Sequence, residues 1–262
     1  QKSNHKKLHT SNMPRKKKMS ISVGTGMTAK QMKRKKPYNS DIMIDVQPIT
    51  PNQKHAFASY NEGKNLFLYG AAGTGKTFIT LYQALKEVLD PLTPYQKVVL
   101  VRSLVSTREI GFLPGDHEDK SALYQIPYKN MVKYMFELPT DNEFEMLWGN
   151  LKAQESVTFW STSFIRGTTL DNSIVIVDES QNLNFHELDS IITRVGEDTK
   201  IMFCGDVAQT DLVRTNEKNG ILDFQRIITR MPEFDLIEFG LDDIVRSGLV
   251  KSYITSKIEL GM

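Results

Sequence analysis

The sequence has little cysteine and no long apolar run, and each shortage narrows what the protein can be. A single cysteine, Cys204, among 262 residues excludes an internal disulfide and suits a reducing compartment, so we expect a cytoplasmic location. No apolar run is long enough to span a bilayer. We expect no secretory signal, because no apolar segment follows the basic N-terminus. The five histidines are scattered and lack the spacing of zinc ligands.

Acidic residues are missing from the first part of the chain. Residues 1–40 contain twelve Lys and Arg and no Asp or Glu, whereas the remainder contains 21 basic and 31 acidic residues. We therefore expect residues 1–40 to form a disordered basic arm and residues 41–262 to form the folded domain. Such an arm is typical of contact with nucleic acid or another polyanion, and equally of a solubilising leader without specific contacts.

Apolar strands alternate with amphipathic helices after the arm. The predicted strands cover residues 65–69, 97–101, 157–160, 173–177, 200–204 and 234–239, and the predicted helices include 77–89 and 185–195. Continuous apolar strands interleaved with helices indicate an α/β fold in which a mainly parallel sheet is covered on both faces. The stretch 111–150 interrupts this alternation and is predicted to be a helical insertion or lid.

A glycine-rich loop stands between the first predicted strand and the helix that follows it. Residues 70–77 read GAAGTGKT and fit the phosphate-loop pattern G-x-x-x-x-G-K-[ST] in full. In such a loop the backbone N–H groups and the helix N-terminus bind phosphate oxygens, the lysine reaches the β- and γ-phosphates, and the last hydroxyl binds Mg²⁺. The residues expected to contact the nucleotide or its metal are Ala72, Gly73, Thr74, Gly75, Lys76 and Thr77.

Two acidic residues, Asp178 and Glu179, directly follow the predicted strand 173–177. At the carboxyl edge of a parallel sheet Asp178 is suited to hold the Mg²⁺ shell, and Glu179 is suited to activate water as a general base. A pair of acids at a helix start is the alternative interpretation. A phosphate loop needs an acidic partner, which we expect on a neighbouring strand, and this favours the metal-site interpretation.

Further candidates follow other strands. Gln209, in the GDVAQ segment after strand 200–204, is a candidate for contact with the γ-phosphate or the attacking water. Gln53 precedes the first strand, and its amide could pair with an adenine edge, although an ordinary helix-start glutamine is the simpler interpretation. An arginine is needed to stabilise the charge of the transferring phosphoryl group. The candidates, among which the sequence does not select, are Arg102, Arg166, Arg194 and Arg246.

Taken in order, these segments resemble the PhoH family of ATPases, which is related to the core of superfamily 1 helicases. The resemblance covers residues 49–256 and depends on TPNQ at 50–53, the phosphate loop, GFLPGD at 111–116, FIRGTTL at 164–170, DESQN at 178–182, ITRVG at 192–196, GDVAQTDL at 205–212 and DDIVRSGLV at 242–250. It implies a single RecA-like P-loop NTPase domain that binds ATP. It also implies that Gln53 reads adenine and that Arg166 and Arg246 contact the nucleotide.

The predicted activity is Mg²⁺-dependent ATP hydrolysis, coupled to RNA or single-stranded nucleic acid, with helicase activity left open. Two other functions fit the phosphate loop: a nucleotide-dependent binding module with slow or no hydrolysis, and a small-molecule P-loop kinase. The chain has room for only one motor domain, so we expect Arg246, Arg194 or Arg166 to act across a subunit interface. This would require a homo-oligomer, such as a hexameric ring.

Overall fold

Six parallel strands form one sheet in the computed structural model, which describes residues 38–102, 117–162, 164–165, 167–206 and 220–261. The strands are β1 (Asn65–Gly70), β2 (Lys97–Arg102), β3 (Val157–Ser161), β4 (Ser173–Val177), β5 (Lys200–Cys204) and β6 (Phe234–Phe239). Their order across the sheet is β3-β2-β4-β5-β1-β6, and every neighbouring pair is parallel. All six strands predicted from the apolar runs are confirmed to within a residue.

Both faces of the sheet are buried, which explains why the strands are apolar at nearly every position. In β1, Leu66 and Leu68 join the hydrophobic core on one face, and Phe67 and Tyr69 join the core on the other. This division follows from the two-residue period of a strand, which sends alternate side chains to opposite faces.

Helices cover the two faces. In the described part of the chain they are α1 (Pro51–Asn61), α2 (Lys76–Leu89), α3 (His117–Phe136), α4 (Asp141–Ala153), α5 (Phe185–Ile192), α6 (Gly220–Ile228) and α7 (Gly248–Glu259). The first four pack on the Leu66 face, and α5 and α6 pack on the Phe67 face. None of these helices is long and apolar enough to cross a bilayer. The α3–α4 hairpin confirms the helical insertion from residue 117 onward, and residues 103–116 lie outside the described residues.

Local sequence signals set the helix starts. The Thr50 hydroxyl accepts a hydrogen bond from the Gln53 amide at the start of α1, where Pro51 takes the first helical position. Thr140 and Glu143 form a reciprocal capping box at α4. The predicted helix 185–195 ends at Ile192, because residues 194–195 pair with Leu170 through a hydrogen bond and an isolated parallel bridge.

The order of the strands corrects one expectation about the site. We expected the acid that partners the phosphate loop to lie on a strand next to β1. The strand that precedes Asp178 is β4, and β5 lies between β4 and β1. Asp178 nevertheless contacts the loop although it lies two strands away from β1. The Thr77 hydroxyl, at the start of α2, donates a hydrogen bond to its carboxylate.

Candidate functional site

The phosphate loop links the end of β1 to the start of α2 at the carboxyl edge of the sheet. Gly73 has a φ of 71°, a left-handed conformation that glycine adopts without steric cost. A Cβ atom at this position would lie 2.8 Å from Cγ of Arg246. The Gly73 carbonyl also accepts a hydrogen bond of 3.0 Å from the Val245 amide, so the segment before α7 is fastened to the loop.

Lys76 is a buried cation within this loop, with 4% of its side chain exposed. Its Nζ donates to the Ala71 carbonyl at 2.7 Å and to Thr74 Oγ1 at 3.3 Å, and it lies 2.8 Å from the Asp206 carboxylate. Asp206 lies two residues after the end of β5 and is 41% exposed. A buried charge needs partners of this kind, and phosphate oxygens could replace the exposed carboxylate.

The Asp178 carboxylate receives hydrogen bonds at both of its oxygens. Thr77 Oγ1 donates to Oδ1 at 2.8 Å, and the hydroxyl of Tyr128, which lies in α3, donates to Oδ2 at 2.7 Å. Burial and the charge of Asp178 raise the pKa of Tyr128 well above its ordinary value, so this hydroxyl remains a donor. Hydroxyl and carboxylate oxygens are the ligands that Mg²⁺ prefers, and Thr77 with Asp178 fits that donor set.

Among the residues that the structure describes, no group of three or more His, Cys, Asp or Glu is arranged to hold a metal ion. A phosphate-loop metal does not need such a group, because the nucleotide and water complete its shell.

Glu179 is held beside Asp178 in a left-handed backbone conformation, with φ 52° and ψ 42°. This conformation is uncommon for a non-glycine residue and is often found at functional sites. Gln181 Nε2 donates to Oε2 of Glu179 at 2.7 Å, and Arg102 Nη2 lies 3.8 Å from Oε1. Burial and the negative charge of Asp178 raise the pKa of Glu179, which suits a general base.

Gln53 lines the cavity beside the loop, and both ends of its side-chain amide already bond within the protein. Its Nε2 donates to the Thr74 carbonyl at 3.0 Å, and its Oε1 accepts from the Ile49 amide at 3.0 Å. An amide has two N–H groups and two lone pairs, so one donor and one acceptor site remain for a ligand. The adenine contact of Gln53 stays a prediction.

A cavity of about 750 Å³ opens beside the loop, a size typical of small-molecule sites. The loop residues 73–77, Asp206 and Arg246 line it. Apolar side chains also line it, namely Ile44, Val46, Ile49, Phe78, Met131 and Tyr134. A lining that combines a phosphate loop with apolar side chains suits a nucleotide, which has a charged triphosphate and a flat base.

The structure separates the candidate arginines. Arg246 lines the cavity over the phosphate loop of its own chain. Arg102 ends β2 close to Glu179. Arg194 lies at the opposite edge of the sheet, because its carbonyl accepts from Leu170 just before β4 begins. Arg166 and Gln209 lie outside the described residues, so their predicted contacts remain predictions.

Sequence reasoning did not assign three residues of this site. Asp206 could have been found, because it lies two residues after β5 at the same edge of the sheet as Asp178. Tyr128 gave no signal, since it lies 50 positions away from its partner Asp178 in the sequence. Asp243 is buried and accepts hydrogen bonds from the Asn52 side chain at 2.7 Å and the Gly240 amide at 2.9 Å. It thereby joins the start of α1, next to Gln53, to the segment that carries Arg246.

This fold and site define a class. A full G-x-x-x-x-G-K-[ST] loop between a parallel strand and a helix, with a carboxylate bonded to its last hydroxyl, is the nucleotide-binding site of a P-loop NTPase domain. The chain belongs to the PhoH-like family, because the family model described as "PhoH-like protein" matches residues 45–257.

Individual proteins that are similar in sequence to this chain also carry the PhoH name. The chain is 32% identical over 210 residues to a PhoH-like protein of Synechocystis sp., covering 80% of this chain and 61% of the relative. It is 29% identical over 210 residues to Protein PhoH of Escherichia coli (strain K12), covering 78% and 57%. It is 35% identical over 145 residues to Protein PhoH2 of Bacillus subtilis (strain 168), covering 55% and 32%. The chain thus spans at most about three fifths of the length of these relatives.

Solved structures resemble the chain more distantly. The Phi-28 gp11 DNA packaging motor has a TM-score of 0.37 at 14% identity and covers 81% of this chain and 65% of its own. The Sulfolobus solfataricus SWI2/SNF2 ATPase core in complex with dsDNA has a TM-score of 0.38 at 12% identity, covering 78% and 46%.

Proposed function

We propose that this chain binds ATP with Mg²⁺ and hydrolyses it. The observation that carries the proposal is the arrangement at the carboxyl edge of the sheet. There the buried Lys76 and Thr77 line one cavity, Asp178 accepts a hydrogen bond from Thr77, and the strained, half-buried Glu179 follows Asp178 directly. Each type of group needed for phosphoryl transfer to water is present on this single chain.

The chemistry follows from these side chains. The triphosphate lies over residues 73–77, and its oxygens displace Asp206 from Lys76. Thr77 and Asp178 would hold Mg²⁺, which would neutralise negative charge on the phosphates. Glu179 accepts a proton from water as the water oxygen bonds to the γ-phosphorus. The bond between that phosphorus and the β–γ bridging oxygen then breaks, which yields ADP and inorganic phosphate.

Glu179→Gln and Lys76→Ala test this chemistry. The first change keeps the size of the side chain and removes the base, so we expect nucleotide binding to persist while turnover falls by about 10²- to 10⁴-fold. The second should abolish binding. Glu62→Gln, an exposed change at the far end of α1, is the control and should behave as wild type. If Glu179→Gln hydrolyses ATP at the wild-type rate, Glu179 is not the base.

The rival functions predict different outcomes of the same assays. Tight ATP binding without turnover in wild type would favour a nucleotide-dependent binding module. Phosphate transfer to a small acceptor, in place of release as inorganic phosphate, would favour a kinase. Glu179 argues against the kinase, because a water-activating base beside the metal carboxylate promotes hydrolysis.

We propose that Arg246 completes the site from the same chain. Its side chain already lies over Gly73, so a second subunit is not needed to supply it. Mixing Arg246→Ala with Lys76→Ala protein tests this. Each variant alone should be inactive, and the mixture should stay inactive. Recovery of activity in the mixture would show that the arginine acts across an interface in an oligomer, as the sequence had led us to expect.

Coupling to single-stranded nucleic acid, RNA in particular, is the second part of the proposal. Its support is the basic sequence of residues 1–40 and the helicase-like order of the motifs. We expect single-stranded RNA or DNA to stimulate hydrolysis at low salt and to lose this effect as salt rises. Replacing residues 33–36 (KRKK) with glutamine should weaken the binding and flatten its salt dependence. Hydrolysis that single strands and duplexes leave unchanged at low salt would refute the coupling.

A further inference from the structure

The hydroxyl of Tyr128 is the contact between the helical hairpin α3–α4 and the metal carboxylate. Tyr128 is 2% exposed, and its hydroxyl donates to Oδ2 of Asp178 at 2.7 Å. The other carboxylate oxygen, Oδ1, accepts from Thr77. The two donors fix the rotation of the carboxylate about its Cβ–Cγ bond, because each oxygen has its own partner.

The ring of Tyr128 is itself held in place. It packs against Phe159 of β3 with ring centroids 5.6 Å apart, and Phe159 packs against Trp148 of α4 with centroids 6.2 Å apart. Aromatic packing of this kind leaves the hydroxyl few alternative positions. The hairpin therefore fixes the position of the Tyr128 hydroxyl, which donates to Asp178.

The same helix also reaches the nucleotide cavity. Met131 and Tyr134 line the cavity, and they follow Tyr128 at intervals of three residues. Residues three apart lie near one another on a helix surface, so Met131 is a neighbour of both Tyr128 and Tyr134. One helix thus contacts Asp178 through Tyr128 and lines the cavity through Met131 and Tyr134.

We propose that Tyr128 is a positioning residue for Mg²⁺. It holds Oδ2 of Asp178 so that Oδ1 and the Thr77 hydroxyl are presented together to the metal. Through this bond, the binding of Mg²⁺ with nucleotide orders α3. The inference rests on the proposed function and adds to it a residue outside the phosphate-loop motifs. Residues that orient metal ligands commonly change metal affinity about 10- to 100-fold when they are mutated.

Tyr128→Phe removes the hydroxyl and keeps the ring. We expect the Mg²⁺ concentration for half-maximal binding of a fluorescent methylanthraniloyl-ATP to rise by about 10-fold, while binding of the same nucleotide in EDTA stays unchanged. A change confined to the metal dependence separates positioning from a general loss of structure.

Tyr60→Phe is the matched control. Tyr60 is also 2% exposed, and its hydroxyl also donates to a carboxylate, Glu87, at 2.7 Å, but at the opposite edge of the sheet. It should show the same stability loss from a lost buried hydrogen bond and a wild-type Mg²⁺ dependence. If both variants shift the Mg²⁺ dependence equally, the effect is structural and the inference is wrong.

Hydrogen exchange on wild type gives a second measurement that does not depend on the variant folding. Amides of residues 128–136 should exchange more slowly with ATP and Mg²⁺ than with ATP and EDTA. Equal exchange in the two conditions, or a wild-type Mg²⁺ dependence in Tyr128→Phe, overturns the inference alone. If wild type itself binds ATP equally with and without Mg²⁺, the proposed function fails as well.

Discussion

The two edges of the sheet carry the same kinds of side chain with different surroundings. At the carboxyl edge, Lys76 lies 2.8 Å from the Asp206 carboxylate, and a buried tyrosine donates to a second carboxylate, Asp178. At the amino edge, Lys200 Nζ lies 3.5 Å from the Glu87 carboxylate, and the buried Tyr60 donates to it as well. By residue type alone, either edge could be taken for a site.

The two edges differ in the surroundings of their lysines, Lys200 and Lys76. Lys200 Nζ lies 3.9 Å from the centroid of the Tyr60 ring and 5.6 Å from that of Tyr95, and it also donates to the Tyr60 carbonyl. Its partners enclose it on several sides, and burial with the charge of Glu87 raises the pKa of Tyr95 to about 12. Lys76 is also held by several groups, but it lines a cavity, and its carboxylate partner Asp206, 41% exposed, lines the same cavity. A lysine whose partner can leave is available to a ligand.

Backbone strain alone does not distinguish the edges. Asn172 and Asp198, in the turns before β4 and β5, also have positive φ, at 50° and 48°. Asn and Asp adopt this conformation more readily than most residues, and turns commonly use them for it. Glutamate has no such preference, yet Glu179 at the carboxyl edge and Glu155, in the turn before β3, both adopt this conformation, with φ of 52° and 55°. Strain therefore does not distinguish the edges even when the residue type is considered, and the contacts of Glu179 with Gln181 and Arg102 carry its assignment.

The largest expected effect comes from exchanging the two lysines for methionine. Lys76→Met leaves the loop without its buried cation, and we expect ATP affinity to fall by about 100-fold or more, as for truncation of one buried charge partner. Lys200→Met should leave ATP affinity unchanged and lower the free energy of unfolding by about 1 kcal/mol through the lost cation–π contact. Isothermal titration calorimetry and urea unfolding measure the two quantities. A comparable loss of ATP affinity in Lys200→Met would refute the distinction between the edges.

Some features of the carboxyl edge could be predicted from the sequence and others could not, and the difference has a physical reason. The strands, the phosphate loop and the pair Asp178–Glu179 follow from local patterns: apolar runs, glycine spacing and acids at a strand end. The bond from Tyr128 to Asp178, the placement of Arg246 over Gly73 and the insertion of β5 between β1 and β4 depend on tertiary packing. No local pattern encodes those contacts, so sequence reasoning could not find them.

Two glycines, one at each edge of the sheet, allow the same comparison to be made for the backbone. Gly73 and Gly63 both have positive φ, at 71° and 88°. A Cβ at Gly73 would meet Arg246, whereas a Cβ at Gly63, in the turn before β1, would meet nothing within 4 Å. We expect alanine at either position to cost about 1 to 2 kcal/mol of stability, because both would hold a non-glycine residue in the left-handed region.

Only Gly73→Ala should also weaken nucleotide binding. Displacing Arg246 from the loop should reduce ATP affinity by about 10-fold, which corresponds to about 1.4 kcal/mol. Gly63→Ala serves as the control for strain without displacement, and calorimetric titration of both variants measures the difference. Equal ATP affinities in the two variants would contradict the assigned position of Arg246.

The smallest expected effect concerns two aspartates at opposite edges. Asp243 is 1% exposed and accepts hydrogen bonds from Asn52 and Gly240, whereas Asp235 is about one quarter exposed and contacts the Ser59 hydroxyl and His55. Asp243→Asn should cost about 2 kcal/mol, because it leaves buried donors without a carboxylate acceptor. Asp235→Asn should cost less, about 1 kcal/mol, because water reaches its partly exposed carboxylate. ATP affinity should fall by about 3-fold in Asp243→Asn alone, a change of about 0.7 kcal/mol, since Asp243 joins the Gln53 and Arg246 segments.

The pH dependence of the Asp243→Asn effect provides an internal check. Burial alone would raise the pKa of Asp243, but the hydrogen bonds from Thr50, Asn52 and Gly240 lower it below its ordinary value of 3.8. A lowered pKa contributes stability that is fully present above the pKa of the unfolded chain and is lost as pH falls through the lower folded value. The stability gap between wild type and Asp243→Asn should therefore be constant from pH 7 to about pH 5 and narrow below 3.8. Urea unfolding at several pH values measures the gap, and a gap that widens towards acid would mean that the carboxylate does not hold these donors.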